Sequence, residues 1–249
     1  MTVVHVEDIP ALGHEEAMDL ADADYDRMLS LVDGLEGPDW TQPTDCAGWD
    51  VKAMLGHLLG MLELQADPED RMRQLKLATE EAEQSGRLRL DALTALQVRE
   101  HAQLSIDEVR AELHVAAPRG LAARRAMPAE FRATPYDPQL PGFSGWTFGY
   151  LFDVIHTRDP WLHRIDITRA TGHELDLSAS HDGRIVADVV AEWSRAHAQP
   201  FSLELTGPAG GSFIGQGGGP IMTLDAVEFC RTLSGRTRGT GLLETHVVF

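Results

Sequence analysis

The sequence predicts a helical bundle followed by a smaller α/β domain, and three observations carry that prediction. Near the N-terminus, Met18, Ala21, Tyr25, Met28, Val32 and Leu35 fall three and four residues apart, the seam of a bundle helix. A long helical pattern from Thr147 is closed by Gly172, the residue type best suited to the left-handed turn that ends a helix. Beyond Gly172 the texture changes to short alternating runs and glycine-rich turns, which read as strands with tight connections. The boundary is therefore drawn there: a bundle over residues 1–172 and an α/β domain over residues 173–249.

The first helix spans about Glu15 to Leu35 and stops at Gly37-Pro38. A turn-rich stretch from Thr41 to Trp49 leads to Asp50, an N-cap for a second helix that runs to about Gln65, before Pro68. That helix is apolar nearly all round, with Val51, Met54, Leu55, Leu58, Leu59, Met61, Leu62 and Leu64, so it is expected to be buried among neighbours. His57 lies in its middle, beside Ala53 and Gly60, small residues that leave room for a bound group. The polar segment Pro68 to Gln84 reads as a surface helix. Ser105-Ile106-Asp107-Glu108 is a capping box that opens a helix ending near Pro128. From Pro128 to Gly145 a proline-rich loop is long enough to wall or cover a site. In the helix after Thr147, Pro160 removes a backbone hydrogen bond and is expected to bend it. The C-terminal domain should hold a helix from His181 to Gln199, a strand from Phe201 to Thr206, a helix from Leu224 to Leu233 and a final strand from Leu242 to Phe249.

Composition narrows the partners. A hydrophobic content of 43% with 24% charged residues is that of a globular protein, and a net charge of −18 argues against nucleic acid and against anionic membrane surfaces. No apolar run reaches the length of a spanning helix, and the first residues, MTVVHVEDIP, lack the basic flank and apolar core of a signal peptide. Cys46 and Cys230 cannot build a disulfide framework, so a reduced, cytoplasmic setting is expected.

Asp159 and His163 are four residues apart, so on a helix they stack on one face and can chelate one ion; His156 lies one turn earlier on the same face. A third group from a neighbouring helix is needed, and His57 is the candidate. Two imidazoles and a carboxylate make an open zinc site, and suit other divalent metals too. The spacing leaves a plainer reading open, in which Asp159 pairs with Arg158 or Arg164 and His57 is a core histidine bonded to backbone. Other motifs fail: His14-Glu15-Glu16 is followed by Met18 where a zincin needs histidine, the glycines near Gly215 lack a phosphate-loop ending, and no Gly-x-Ser-x-Gly occurs.

Three stretches, in order along the chain, carry a resemblance. Trp40 with Pro43-Thr44-Asp45-Cys46-Ala47-Gly48-Trp49-Asp50-Val51 and His57-Leu58 resembles the start of the mycothiol-dependent maleylpyruvate isomerase family, part of the DinB-like metalloprotein superfamily. Arg158-Asp159-Pro160-Trp161-Leu162-His163 is similar to its second landmark, an acidic residue four before a histidine. The tail, with Leu224-Asp225, Phe229-Cys230-Arg231, Gly235-Arg236, Gly241 and Val247 to Phe249, is similar to its C-terminal domain. The resemblance implies a DinB-like four-helix bundle with a sterol-carrier-like α/β domain, and places His57, Asp159 and His163 at the zinc-ligand positions. The family carries Glu where this chain has Asp159, one methylene shorter, a difference for which the bend at Pro160 compensates in this reading. His156 becomes a supporting or substrate-facing group, and Arg231 and Arg236 become the cations for an anionic substrate, against a plainer role at a helix C-terminus. Cys46 is a small packed residue or a reactive thiol.

The implied chemistry is a zinc-dependent (or other divalent metal) enzyme using mycothiol or another small thiol. It would act as a thiol S-transferase or a cis–trans isomerase on a small electrophilic metabolite. Two other classes stay open: a metal- or ligand-binding protein without catalysis, and a metal-dependent hydrolase. The organic substrate and the choice of monomer or dimer are left open by the sequence.

Overall fold

The computed structural model describes residues 3–249, and the chain divides into two units: Gly13–His173, and residues up to Leu12 together with Glu174–Phe249. A short strand, β1 (Val3–His5), precedes the first unit. The bundle then opens with α1 (His14–Gly34), whose predicted seam of Met18, Ala21, Tyr25, Met28, Val32 and Leu35 is buried throughout. Removing each such side chain from water contributes about 1.5–3 kcal/mol for the larger ones, so this stripe fixes the face α1 presents.

Helix α2 (Val51–Ala66) starts at Asp50, whose side chain accepts from the Ala53 amide at 2.8 Å. It is buried on nearly every side, as its composition predicts. Asp67 ends it and caps α3 (Pro68–Ser85), which turns at Gly86 into α4 (Arg89–His101). The pair α3 and α4 packs as a hairpin against α2. The glycines of α2 explain how: a Cβ on Gly60 would lie 2.7 Å from the Gln97 Cγ, and one on Gly56 would lie 3.2 Å from the His101 Cβ. The room expected there for a bound group is therefore filled by α4, because only glycine lets the two helices approach this closely.

The predicted capping box of α5 (Ile106–Arg125) is complete, with Ser105 and Glu108 bonding each other's backbone amides. The stretch expected as one loop from Pro128 contains α6 (Ala129–Arg132) and an antiparallel pair, β2 (Pro135–Tyr136) with β3 (Trp146–Thr147). Stacked Phe131, Tyr136, Trp146 and Phe148 rings hold that segment down. A π-helical turn, Tyr150–Ile155, then feeds α7 (His156–Thr171), which ends at Gly172 in the left-handed conformation. Pro160 lies inside α7 without ending it. Its ring leaves the His156 carbonyl without the usual helical donor, and Arg124 of α5, fully buried, donates to that oxygen at 3.1 Å instead. Helices α1, α2, α5 and α7 form the four-helix core.

The other unit holds α8 (Asp182–His197) and a sheet of β4 (Phe201–Thr206), β5 (Gly211–Gly215) and β6 (Ile221–Asp225) in the order β1-β5-β4-β6, with α9 (Ala226–Leu233) after it. β4 is antiparallel to β5 and parallel to β6, while β1 is parallel to β5. Phe201, Leu203 and Leu205 alternate into its core, where Trp193 meets Phe201 and Phe229 edge to face. Three expectations are corrected here. Residues 3–12, assigned by the sequence to the bundle, join this unit, because Val3–His5 pairs along the β5 edge. The helix expected from Leu224 begins only at Ala226, since Asp225 caps it by accepting from Val227 and Glu228, and Leu224 belongs to β6. The final strand does not form: Gly241–Glu244 is a 3-10 turn, and the Val247 amide is bound by the Leu233 carbonyl at the end of α9.

Candidate metal centre

Helix α2 delivers His57 and α7 delivers Asp159 and His163, so the three candidate ligands meet between two core helices. One ligand atom from each lies within 4.8 Å of the others. His163 Nε2 is 3.2 Å from Asp159 Oδ1, and His57 Nε2 is 3.7 Å from Asp159 Oδ2. Both rings are buried, and they meet edge to face at 5.3 Å under the Trp49 indole, which lies 5.1 Å from His57. Among the described residues the close partners of Asp159 are the two histidines rather than Arg158 or Arg164.

Each imidazole is held from behind through its other nitrogen. His163 Nδ1 faces Asp166 Oδ2 at 3.2 Å, and the Cys46 sulfur lies 3.9 Å from that same oxygen. His57 Nδ1 is 2.7 Å from Gln97 Oε1. Both rings therefore turn Nε2 toward Asp159, the arrangement of ligating histidines. Asp159 Oδ2 is buried and has no hydrogen-bond partner, a costly state for a carboxylate oxygen unless a cation sits against it.

Charge is distributed unevenly. Burial disfavours the imidazolium form of His163, but Asp159 beside it, with hydrogen bonds to Asp159, Asp166 and Cys46, raises it well above the ordinary histidine value. Burial likewise opposes ionisation of Asp159, yet the His163 charge and the hydrogen bond from His163 hold its carboxyl well below the usual range. One turn earlier, burial and the Arg124 charge push His156 down to about 3, so its ring is neutral. His156 Nδ1 has no hydrogen-bond partner, and the ring stands edge-on to Phe152 at 4.8 Å. His156 is not in the ligand group.

Four residues near this centre escaped the sequence reading. Asp166 had a local signal, since it sits three after His163 on one helix. Gln97 and Gln74 had none, because the α4 and α3 positions that face α2 are known only once the helices pack. Arg71 of α3 places its guanidinium 5.6 Å from the Phe152 ring centre and 6.0 Å from that of Phe131. Burial lowers its pKa, and it makes no hydrogen bond or ion pair with a carboxylate among the described residues. The two arginines that the sequence put forward lie in the other unit. Arg231 is buried in the last turn of α9 with its Nε 3.3 Å from Glu228, and Arg236 follows in the turn after that helix, its amide bonded to the Arg231 carbonyl.

The family model described as the mycothiol maleylpyruvate isomerase N-terminal domain matches residues 21–168. Among solved structures, the crystal structure of the mycothiol-dependent maleylpyruvate isomerase is similar with a TM-score of 0.59 at 14% identity, over 95% of this chain and 93% of that one. A histidine-to-alanine mutant of that isomerase is similar over the same shares with a TM-score of 0.58, also at 14% identity. No curated protein matches the chain. At that identity the likeness establishes the fold, a DinB-like helical bundle followed by a small α/β unit. Since the family model covers more than half of the sequence, the chain belongs to the mycothiol maleylpyruvate isomerase family.

Proposed function

We propose that this chain is a divalent-metal-dependent enzyme that uses mycothiol or another small thiol, acting as a thiol S-transferase or cis–trans isomerase on a small electrophilic metabolite. Family membership supports the reaction class, and one observation carries the metal: the unpartnered, buried Asp159 Oδ2 beside two imidazoles that both turn Nε2 toward it. The donor set fits. Two nitrogens and one carboxylate oxygen are what zinc takes at catalytic sites, leaving a position for an outside ligand. When bound, such an ion supplies the positive charge that keeps a coordinated thiol deprotonated at neutral pH.

The chain's own residues do the rest. Trp49 covers the two histidine rings and keeps water from their faces. His156, neutral at physiological pH, offers an unengaged Nδ1 to a reacting group. Arg71, half-buried on aromatic rings and in no ion pair among the described residues, supports an anionic substrate; Arg231 and Arg236 remain candidates for the same charge. Two cysteines in no disulfide among the described residues and a net charge of −18 fit a reduced, cytoplasmic setting and a small-molecule rather than nucleic-acid partner. Among the described residues no helix is long and apolar enough to cross a membrane.

Elemental analysis of the purified protein beside His57→Ala tests this first, with about one ion per chain expected and lost in the variant. Thiol consumption with an electrophilic acceptor then separates the classes. Ester or amide hydrolysis without thiol would replace the reading by a hydrolase, and metal without any turnover would replace it by a binding protein.

A further inference from the structure

The back of His57 is held by a chain of amides whose direction is set at its far end. Gln74 Nε2 donates to the Gly60 carbonyl at 3.0 Å and to Asp70 Oδ2 at 2.7 Å, and the backbone oxygen can only accept. Asp70 also pairs with Arg73, 2.7 Å away, and as a carboxylate it too only accepts. Gln74 must therefore turn its NH₂ toward them and its Oε1 toward Gln97, which donates to it from Nε2 at 2.9 Å. That leaves Gln97 only its Oε1 for His57 Nδ1, at 2.7 Å. Gln74 and Gln97 are buried, so water does not compete. On the other side of the ring, Asp159 Oδ2 would also accept a proton from Nε2, but at 3.7 Å it is outside hydrogen-bond range.

We infer that Gln97, oriented by Gln74, is a positioning residue that fixes the proton of neutral His57 on Nδ1 and so presents the Nε2 lone pair to the metal site. This rests on the metal reading above for its consequence, but the proton's location is a property of the metal-free protein. The relay also accounts for Gly60, where a side chain would collide with Gln97.

Proton–nitrogen correlation spectra of the metal-free, histidine-labelled protein read the tautomer directly, with His57→Gln identifying the signal. The wild type is expected to show Nδ1–H. Gln97→Leu should shift His57 toward Nε2–H, and titration with zinc against a chelator should show affinity about 10–100-fold weaker. Gln97→Glu, which keeps an acceptor and has no donor to present wrongly, should retain Nδ1–H and bind zinc at least as tightly as wild type. Gln74→Leu frees the Gln97 amide to flip, so it should weaken zinc binding several-fold in the wild-type background but not in the Gln97→Glu background, where Gln74 Oε1 only opposes a carboxylate. A purely structural Gln74 would cost the same in both. An Nε2–H tautomer in the wild type, or an unchanged tautomer in Gln97→Leu, overturns the inference. If the wild type takes up no zinc, the metal reading fails, and the tautomer spectra decide this inference alone.

Discussion

The two sides of the centre hold their histidines in different ways. On α7, His163 stands between two carboxylates, Asp159 in front and Asp166 behind, and its proton affinity is raised well above the ordinary value. On α2, His57 is backed by a neutral amide chain that ends in a carbonyl and an ion pair. A carboxylate behind an imidazole strengthens its hold on any positive charge, proton or metal; an amide fixes the ring and its tautomer while adding little charge. The α7 side thus holds a proton more firmly than an ordinary imidazole does, while the amide behind His57 orients its ring without adding charge.

The largest expected effect would break the comparison outright. Asp159→Ala and His163→Ala should each abolish stoichiometric metal binding, whereas His156→Ala should leave it nearly intact; equal losses in all three, by elemental analysis, would show that the ligand set includes His156. Next, Asp166→Asn should weaken metal affinity about 10–100-fold by removing the charge behind His163. A loss no greater than that of Gln97→Leu would mean that backing charge adds nothing beyond orientation. Smaller again, Arg71→Gln should weaken binding of a simple dicarboxylate such as maleate about tenfold, read by tryptophan fluorescence, with binding of its neutral dimethyl ester unchanged. Equal binding of maleate to both proteins would move the anion's partner to Arg231 or Arg236.

The smallest effect is on stability. Behind the α2 side, His101 bonds the Gln97 carbonyl through Nδ1 at 2.7 Å and Glu63 through Nε2 at 3.1 Å, two acceptors that only the charged ring can satisfy together. Burial disfavours that charge, but the bonds to Glu63 and to the Gln97 carbonyl outweigh it and raise the pKa. A raised folded-state value stabilises fully below the unfolded value of about 6.5 and is lost as pH climbs through the folded one. Because Glu63 is partly exposed, the difference between wild type and His101→Gln should be only about 1 kcal/mol near pH 5 and fade as the pH rises above the unfolded value, measured by chemical denaturation. A difference constant with pH would assign His101 a packing role.

The bundle was legible because a helix carries its own signals. Three-four spacing names the α1 seam, Asp50 and Ser105 name two helix starts, and Gly172 names an end, all from residues within a turn or two of each other. The C-terminal unit was harder for the opposite reason: β1, β5 and β6 are short strands that exist through pairing with distant residues, as when Val3 meets Ser212. The tail from Leu242 alternates well enough for a strand, but the Leu233 carbonyl takes its Val247 amide.

The same division runs through the centre. By itself the sequence determined that Asp159 and His163 share a helical face and that a histidine stands in an apolar helix, since both follow from the helical repeat and the cost of burying a polar ring. Only the tertiary structure decided that α2 and α7 face each other there, that Gly60 admits Gln97 rather than a ligand, and that Arg71 stands over the Phe131 and Phe152 rings. Those facts depend on which helices touch, and contacts between residues 40 or 100 positions apart leave no period in the sequence to read.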